Sequence, residues 1–180
     1  VPHRLVVIGG GVIGLEFACI FNAFGSQVTV LEAQSTVLSQ LDREIVKRLQ
    51  VFLKRQGISV YTSVQVKKLD GSSRGLSVVA DTAQGELSIE ADLVLQAAGR
   101  QPCTVGLNLD KLGIKVDQRG FILVDENYQT NVPGIYAIGD VIGGPMLAHV
   151  ASEEGISAVE GMAAHKSKVA YHAIPSTIFT

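Results

Sequence analysis

Cysteine is nearly absent. Cys19 and Cys103 are the only two in 180 residues, too few and too far apart for a CxxC redox pair or a zinc site. Two reduced thiols in an intracellular, cytoplasmic protein are the expectation that remains. Charge is scarce as well. Charged residues make up 18% of the chain and the formal net charge is −2, against about 25% charged residues in ordinary soluble domains. No basic stripe and no run of like charge occurs, which argues against a nucleic-acid binder. No membrane span is expected either. Residues 5–25 are apolar enough to imitate one, but Glu16, Asn22 and a glycine cluster interrupt them. They also lack a charged n-region and a small-residue cleavage site. His3, His165 and His172 have no motif around them, and no metal site is read. Repeats and low-complexity segments are missing too.

Apolar residues and glycine are plentiful. They account for 47% of the chain and for 19 residues respectively. Apolar strands, many glycines and few charges suit an α/β protein whose parallel sheet is covered on both faces. Residues 5–8 read as a short buried strand, followed by a glycine turn and an apolar helix over residues 12–24 that Gly25 ends. Residues 27–31 read as the next strand. Asp42 is placed to cap a second helix whose Ile45, Val46, Leu49, Phe52 and Leu53 keep helical spacing. Gly57 ends it, and residues 58–61 read as a third strand. Right-handed crossovers then make the sheet parallel. Three short strands, 64–69, 76–81 and 86–89, joined by "DGSSRG" and "TAQG", predict an antiparallel β-meander laid against the sheet. Residues 93–97 return as a buried parallel strand ending at "AAGRQP". Beyond Pro102, residues 121–124 and 135–138 read as strands, and a loop and a helix follow.

Gly9, Gly11 and Gly14 form GxGxxG between a strand and a helix. In that setting the first glycine allows the tight turn and the second lets a pyrophosphate approach. The third lets the helix pack close to the strand, while the helix N-terminus favours the phosphates. Glu32 ends the second strand about twenty residues on, where an acid binds a ribose 2′-hydroxyl. A carboxylate there repels a 2′-phosphate, and "AQSTVL" after it holds no arginine to accept one. NAD is therefore expected rather than NADP. Glu16 allows two readings: an acid tolerated by the helix dipole, or a buried acid that needs a cationic partner near a reaction centre. Asp140 in "TNVPGIYAIGDV" also allows two: a turn aspartate capping the next segment, or an acid at a strand's carboxyl end facing a ligand crevice.

The order GGGVIGLE, VTVLE, AAGRQP, TNVPGIYAIGD resembles the two-dinucleotide-binding flavoproteins, the pyridine nucleotide-disulfide oxidoreductases. "GDVIGGPMLAHVASEEG" is most similar to the members that oxidise dihydrolipoamide. The resemblance runs over essentially the whole chain. It implies a Rossmann-like FAD/NAD(P)-binding fold plus part of a second FAD-domain segment, divided as 1–103 (NAD-binding), 104–172 (returning FAD-domain segment) and 173–180 (start of an interface domain). It also implies that the chain is a fragment without disulfide-reductase activity of its own, its catalytic histidine, FAD fingerprint and redox disulfide lying elsewhere. Carried over by motif, Gly9, Gly10, Gly11, Val12, Ile13, Gly14, Leu15 and Glu16 resemble the NAD pyrophosphate turn and first helical turn, and Glu32 the ribose acid. Val66 resembles an apolar residue on the adenine side, and Gly99 falls where a GR turn meets the nicotinamide half. Asp140 resembles the acid on the flavin ribitol chain. Met146, Leu147, Ala148 and His149 resemble the backbone covering the flavin pyrimidine edge. Glu16 also resembles an acid paired with a lysine beside the flavin. The implied cofactors are NAD and FAD. The implied partners are lipoyl domains of 2-oxoacid dehydrogenase complexes and a second copy of the chain, in the cytoplasm or, in a eukaryote, the mitochondrial matrix. Other disulfide reductases of the family and NADH oxidases are alternatives. In another class stands a lone NAD-binding module without catalysis. A one-domain Rossmann dehydrogenase is disfavoured, since Tyr61 and Tyr136 have no lysine four residues away.

Overall fold

The computed structural model describes residues 1–72, 75–165 and 168–180. They form two compact units, residues 1–99 with 177–180, and residues 100–176.

The first unit is built on alternation. Strand β1 (Arg4–Ile8) lies between β2 (Gln27–Leu31) and β7 (Leu93–Gln96), and β3 (Ser59–Tyr61) flanks β2, so the parallel sheet runs β3-β2-β1-β7. Helix α1 (Val12–Ala23) connects β1 to β2, and α2 (Arg43–Arg55) connects β2 to β3. Successive strand residues point to opposite faces. Leu5, Val7, Val28 and Val30 accordingly join Leu15, Ala18, Val46 and Leu53 in one core. Val6 and Leu31 turn the other way, against Val78, Ala80 and Ala91 of the meander. Each fully buried aliphatic side chain contributes roughly 1.5–3 kcal/mol, so both faces of the sheet stabilise the unit.

The meander consists of β4 (Gln65–Ser72), β5 (Gly75–Thr82) and β6 (Gly85–Ala91), antiparallel in that order, with a register shift between Val66 and Lys68. Residues 73 and 74 of "DGSSRG" lie outside the described residues. In the "TAQG" turn the Thr82 hydroxyl donates to Gly85 O and accepts from Gln84 N. The Asp92 carboxylate holds the entry to β7 beside β1, accepting from Arg4 N at 2.8 Å and from the Arg4 guanidinium at 2.8 Å. Those hydrogen bonds keep its acid below the usual carboxylate range.

Asp42 caps α2, its carboxylate accepting from the backbone N–H groups of Glu44 and Ile45. The apolar spacing of α2 over-predicted its burial. Val46 and Leu53 are buried, but Ile45 is 61% exposed and Phe52 45%. They flank the buried stripe at its edges, on the sides of the helix that face away from the sheet core.

The second unit departs from expectation in its strands. Residues 121–124 and 135–138 form only isolated bridges, Val116 to Ile122, Val124 to Thr130 and Gln129 to Tyr136. Side chains of the turns flanking residues 121–124 take some of the backbone donors a ladder would use. Asp117 accepts from Arg119 N and Phe121 N, and Asp125 from Asn127 N and Gln129 N. A 3-10 turn (Gly139–Ile142) follows, then helix α3 (Ala148–Met162) and a second 3-10 turn (Tyr171–Ala173). No helix among the described residues is long and apolar enough to cross a membrane.

Candidate functional site: a glycine turn and an acid-bearing turn

The glycine turn sits between the end of β1 and the start of α1. Gly9 has φ +111°, and a Cβ on it would come within 2.3 Å of Ala97 O. A Cβ on Gly14 would lie 2.0 Å from Gly9 O and 3.3 Å from Val7 Cγ1. Neither position admits a side chain, so the first turn of α1 rests directly on the strand end. Gly11 differs: a Cβ there would meet nothing within 4 Å, and no side chain caps the helix that starts beyond it. An open approach over a helix N-terminus is the geometry that a pyrophosphate requires.

Glu32 is joined to this turn. Its Oε2 accepts from Gly10 N at 2.5 Å and its Oε1 from Gln34 N at 2.7 Å. Its carboxylate thus grips the loop itself. An ionised carboxylate has about four acceptor positions, so two backbone donors leave room for ribose hydroxyls. Val12 and Ile13 are exposed, and Glu16 is half-buried. The Leu15 side chain is fully buried in the core, and its N–H donates to Gly11 O. The Glu16 carboxylate accepts from Phe179 N at 2.8 Å. Burial, with the Glu16 charge adding to it, pushes the Cys19 thiol up, which disfavours a reactive thiolate there. Val66 packs against the meander-side core. Gly99 has φ +109° with open space around its Cβ position.

In the second unit Asp140 is ion-paired with Arg100, whose Nη1 donates to Asp140 Oδ2 while its Nη2 donates to Met146 O at 2.7 Å. Asp140 and Met146, two of the expected flavin-facing residues, are thus drawn to one arginine. Leu147 is the N-cap residue of α3 and makes no side-chain cap, and Ala148 is the helix's first residue. His149 Nε2 lies 3.2 Å from Pro175 O. Below the turn, Glu154 of α3 is 2% exposed and accepts from Gly139 N and from the Tyr171 hydroxyl, each at 2.7 Å.

Sequence reasoning missed Arg100, Glu154, Tyr128 and Tyr171. Arg100 was legible only as the letter after Gly99. Glu154 carried a signal: it falls on the stripe of Val150 and Ala158, each four residues away, so a carboxylate was due to be buried.

Residues 1–155 match the family model described as pyridine nucleotide-disulphide oxidoreductase. The chain belongs to that family. Members use FAD and a pyridine nucleotide. Dihydrolipoyl dehydrogenase, mitochondrial, of Pisum sativum is 45% identical over 182 residues, covering 100% of this chain and 36% of that protein. Leghemoglobin reductase of Glycine max is 44% identical, with 100% and 35% covered. Among solved structures, LpdA of Mycobacterium tuberculosis superposes with a TM-score of 0.90 at 29% identity, covering 99% of this chain and 39% of that one. The HOCl-induced flavoprotein disulfide reductase RclA of Escherichia coli gives 0.82 at 33% identity, with 95% and 38% covered. The chain therefore spans a little over a third of the length of the relatives it matches.

One titration bears on the second unit of this family member. Tyr171 is 45% exposed, but its hydroxyl lies between Tyr128 and Glu154. Burial, the Tyr128 contact and the Glu154 carboxylate raise its acid well above the ordinary phenol value of 10.0. Below pH 10 both folded and unfolded chains keep this proton, so the contribution is complete. Above it the unfolded chain ionises first, and stability falls as pH rises. Chemical denaturation between pH 8 and pH 11 is expected to show a steeper alkaline decline for the parent than for Tyr171→Phe.

Proposed function

We propose that residues 1–99 bind NAD and that residues 100–176 form part of an FAD cradle in a flavoprotein resembling dihydrolipoamide dehydrogenase. The observation that carries the reading is Glu32 clamped to Gly10 beside an uncapped helix start. Gly9, Gly10, Gly11 and Gly14 shape the pyrophosphate seat, with Val12 and Ile13 at its rim. Glu32 takes the adenosine ribose and selects NAD over its 2′-phosphorylated counterpart by charge. Val66 and Gly99 lie toward the adenine and nicotinamide sides. Asp140 binds the flavin's ribitol hydroxyls, and Arg100 holds Asp140 and the Met146 carbonyl in place for them. The first turn of α3, from Leu147 through His149, presents its positive dipole end to charge that develops on the ring. Glu16 accepts a hydrogen bond from Phe179 N and remains available to a cation near the reaction centre.

When bound, FAD supplies two-electron transfer between a dithiol and NAD. The whole reaction proposed is oxidation of dihydrolipoamide through a redox disulfide and FAD to NAD. Cys19 and Cys103 are both free, and the 180 residues alone are expected to lack disulfide-reductase activity. Identity to dihydrolipoyl dehydrogenases over 100% of this chain supports the substrate. Lipoyl domains of 2-oxoacid dehydrogenase complexes and a second copy of the chain are the proposed partners. The cytoplasm, or the mitochondrial matrix in a eukaryote, is the proposed compartment.

Calorimetric titration with NAD, NADP and FAD in turn tests the reading. NAD is expected to bind at least about tenfold tighter than NADP, a difference of about 1.4 kcal/mol. Tight FAD binding without NAD binding would mean that the glycine turn serves the flavin, and the assignment would fall.

A further inference from the structure

Glu154 is a buried acid that the proposed chemistry does not use. It lies on α3 six residues past the helix start, and the turn bearing Asp140 packs onto the same helix through small residues. A Cβ on Gly139 would lie 3.1 Å from Ala151 Cβ, and one on Gly155 would lie 3.2 Å from Ile138 Cδ1. Neither glycine could take a side chain without its neighbour giving way, so the turn and the helix pack closely. At that separation the carboxylate spans the gap. Oε2 accepts from Gly139 N and Oε1 from the Tyr171 hydroxyl, each at 2.7 Å. With its proton donated to Glu154, Tyr171 accepts from the Tyr128 hydroxyl at 3.1 Å. One side chain thus joins three elements: the Gly139–Ile142 turn, α3, and the Tyr171–Ala173 turn.

Gly139 is also where the turn is most demanding. Its φ is +72°, a conformation that L side chains avoid, and its amide immediately precedes Asp140. Removing the acceptor would leave a part-buried N–H without this partner, which costs more the further it is from water.

We propose that Glu154 is a positioning residue: by fixing the Gly139–Asp140 peptide on α3 it sets the Asp140 carboxylate relative to the helix's first turn. This rests on the reading that Asp140 faces FAD. Two oxygens are needed, one for the amide and one for the phenol, and only an acid or its amide supplies both contacts. Glutamine can turn its carbonyl oxygen to Gly139 and its NH2 group to the Tyr171 oxygen, so it should preserve the clamp. Leucine, of similar volume, cannot.

The test uses the purified holoprotein and its reconstituted apoprotein. Amide hydrogen exchange at Gly139 and the affinity for FAD are measured in Glu154→Gln, Glu154→Leu, Tyr171→Phe and Asp140→Ala. Glu154→Leu is expected to speed Gly139 exchange and weaken FAD by roughly ten- to a hundredfold, with a shift in the flavin absorption band. Glu154→Gln should stay within about threefold of the parent. Tyr171→Phe keeps the carboxylate and folds even if the leucine variant does not; it should move both readouts the same way by a smaller factor. If Asp140→Ala weakens FAD while Glu154→Leu and Tyr171→Phe leave it unchanged, the positioning role is overturned and the flavin reading stands. If Asp140→Ala itself leaves FAD affinity unchanged, the flavin reading fails and the positioning role fails with it.

Discussion

Gly14→Ala is expected to abolish measurable NAD binding and to lower stability by about 3 kcal/mol, the upper part of the range for forced overpacking. The added methyl would sit 2.0 Å from the Gly9 carbonyl oxygen, and the obstacle is backbone that cannot rotate away. Relief requires lifting the first turn of α1 from β1. That motion withdraws Leu15 from the core. The helix N-terminus then no longer aims at the pyrophosphate. Gly11→Ala is the informative partner. Gly11 has φ −77°, and its Cβ would meet nothing within 4 Å, so the fold should lose no more than about 0.5 kcal/mol. If the open space is the pyrophosphate's, the same methyl should weaken NAD at least about tenfold. Urea denaturation beside calorimetry separates the two effects. Full NAD affinity in Gly11→Ala would show that the phosphate lies elsewhere.

Glu32→Ala is expected to weaken NAD by roughly ten- to a hundredfold, the range for hydrogen bonds to a charged group. The side chain has two tasks that the structure joins. It accepts from Gly10 N and Gln34 N, and its remaining lone pairs are offered to the ribose. Truncation leaves the Gly10 amide without its acceptor and the ribose without its partner. Glu32→Gln is therefore not a mild change, because its NH2 group must face one of the two backbone N–H donors. Discrimination against NADP should also shrink in both variants, since the repelling charge is gone. A thermal melt run alongside calorimetry distinguishes the tasks. Lower stability with unchanged NAD affinity would reduce Glu32 to a clamp on the loop and remove it from the ribose.

Much of the first unit was legible because its signals are local. Strand β2 fell on residues 27–31 as read, and α1 and α2 began at Val12 and after Asp42. Apolar period, glycine stops and a capping aspartate lie within a few residues of what they control. Residues 121–124 and 135–138 carried the same apolar runs and did not become strands. A strand needs a partner ladder; Asp117 and Asp125 took turn donors beside residues 121–124, and residues 135–138 pair through the isolated Gln129–Tyr136 bridge.

By itself the sequence determined the α/β class, the succession of parallel strands along the chain, the meander, the fingerprint Gly9-Gly11-Gly14 and the acid at Glu32. Each depends on spacing along the chain, which letters record directly. Only the tertiary structure decided that Glu32 grips Gly10 across 22 residues, that Arg100 gathers Asp140 and Met146, and that Glu154 carries Gly139. Those contacts are hydrogen bonds of fixed length between groups far apart in sequence, and their partners are chosen by which surfaces the packed core brings within reach.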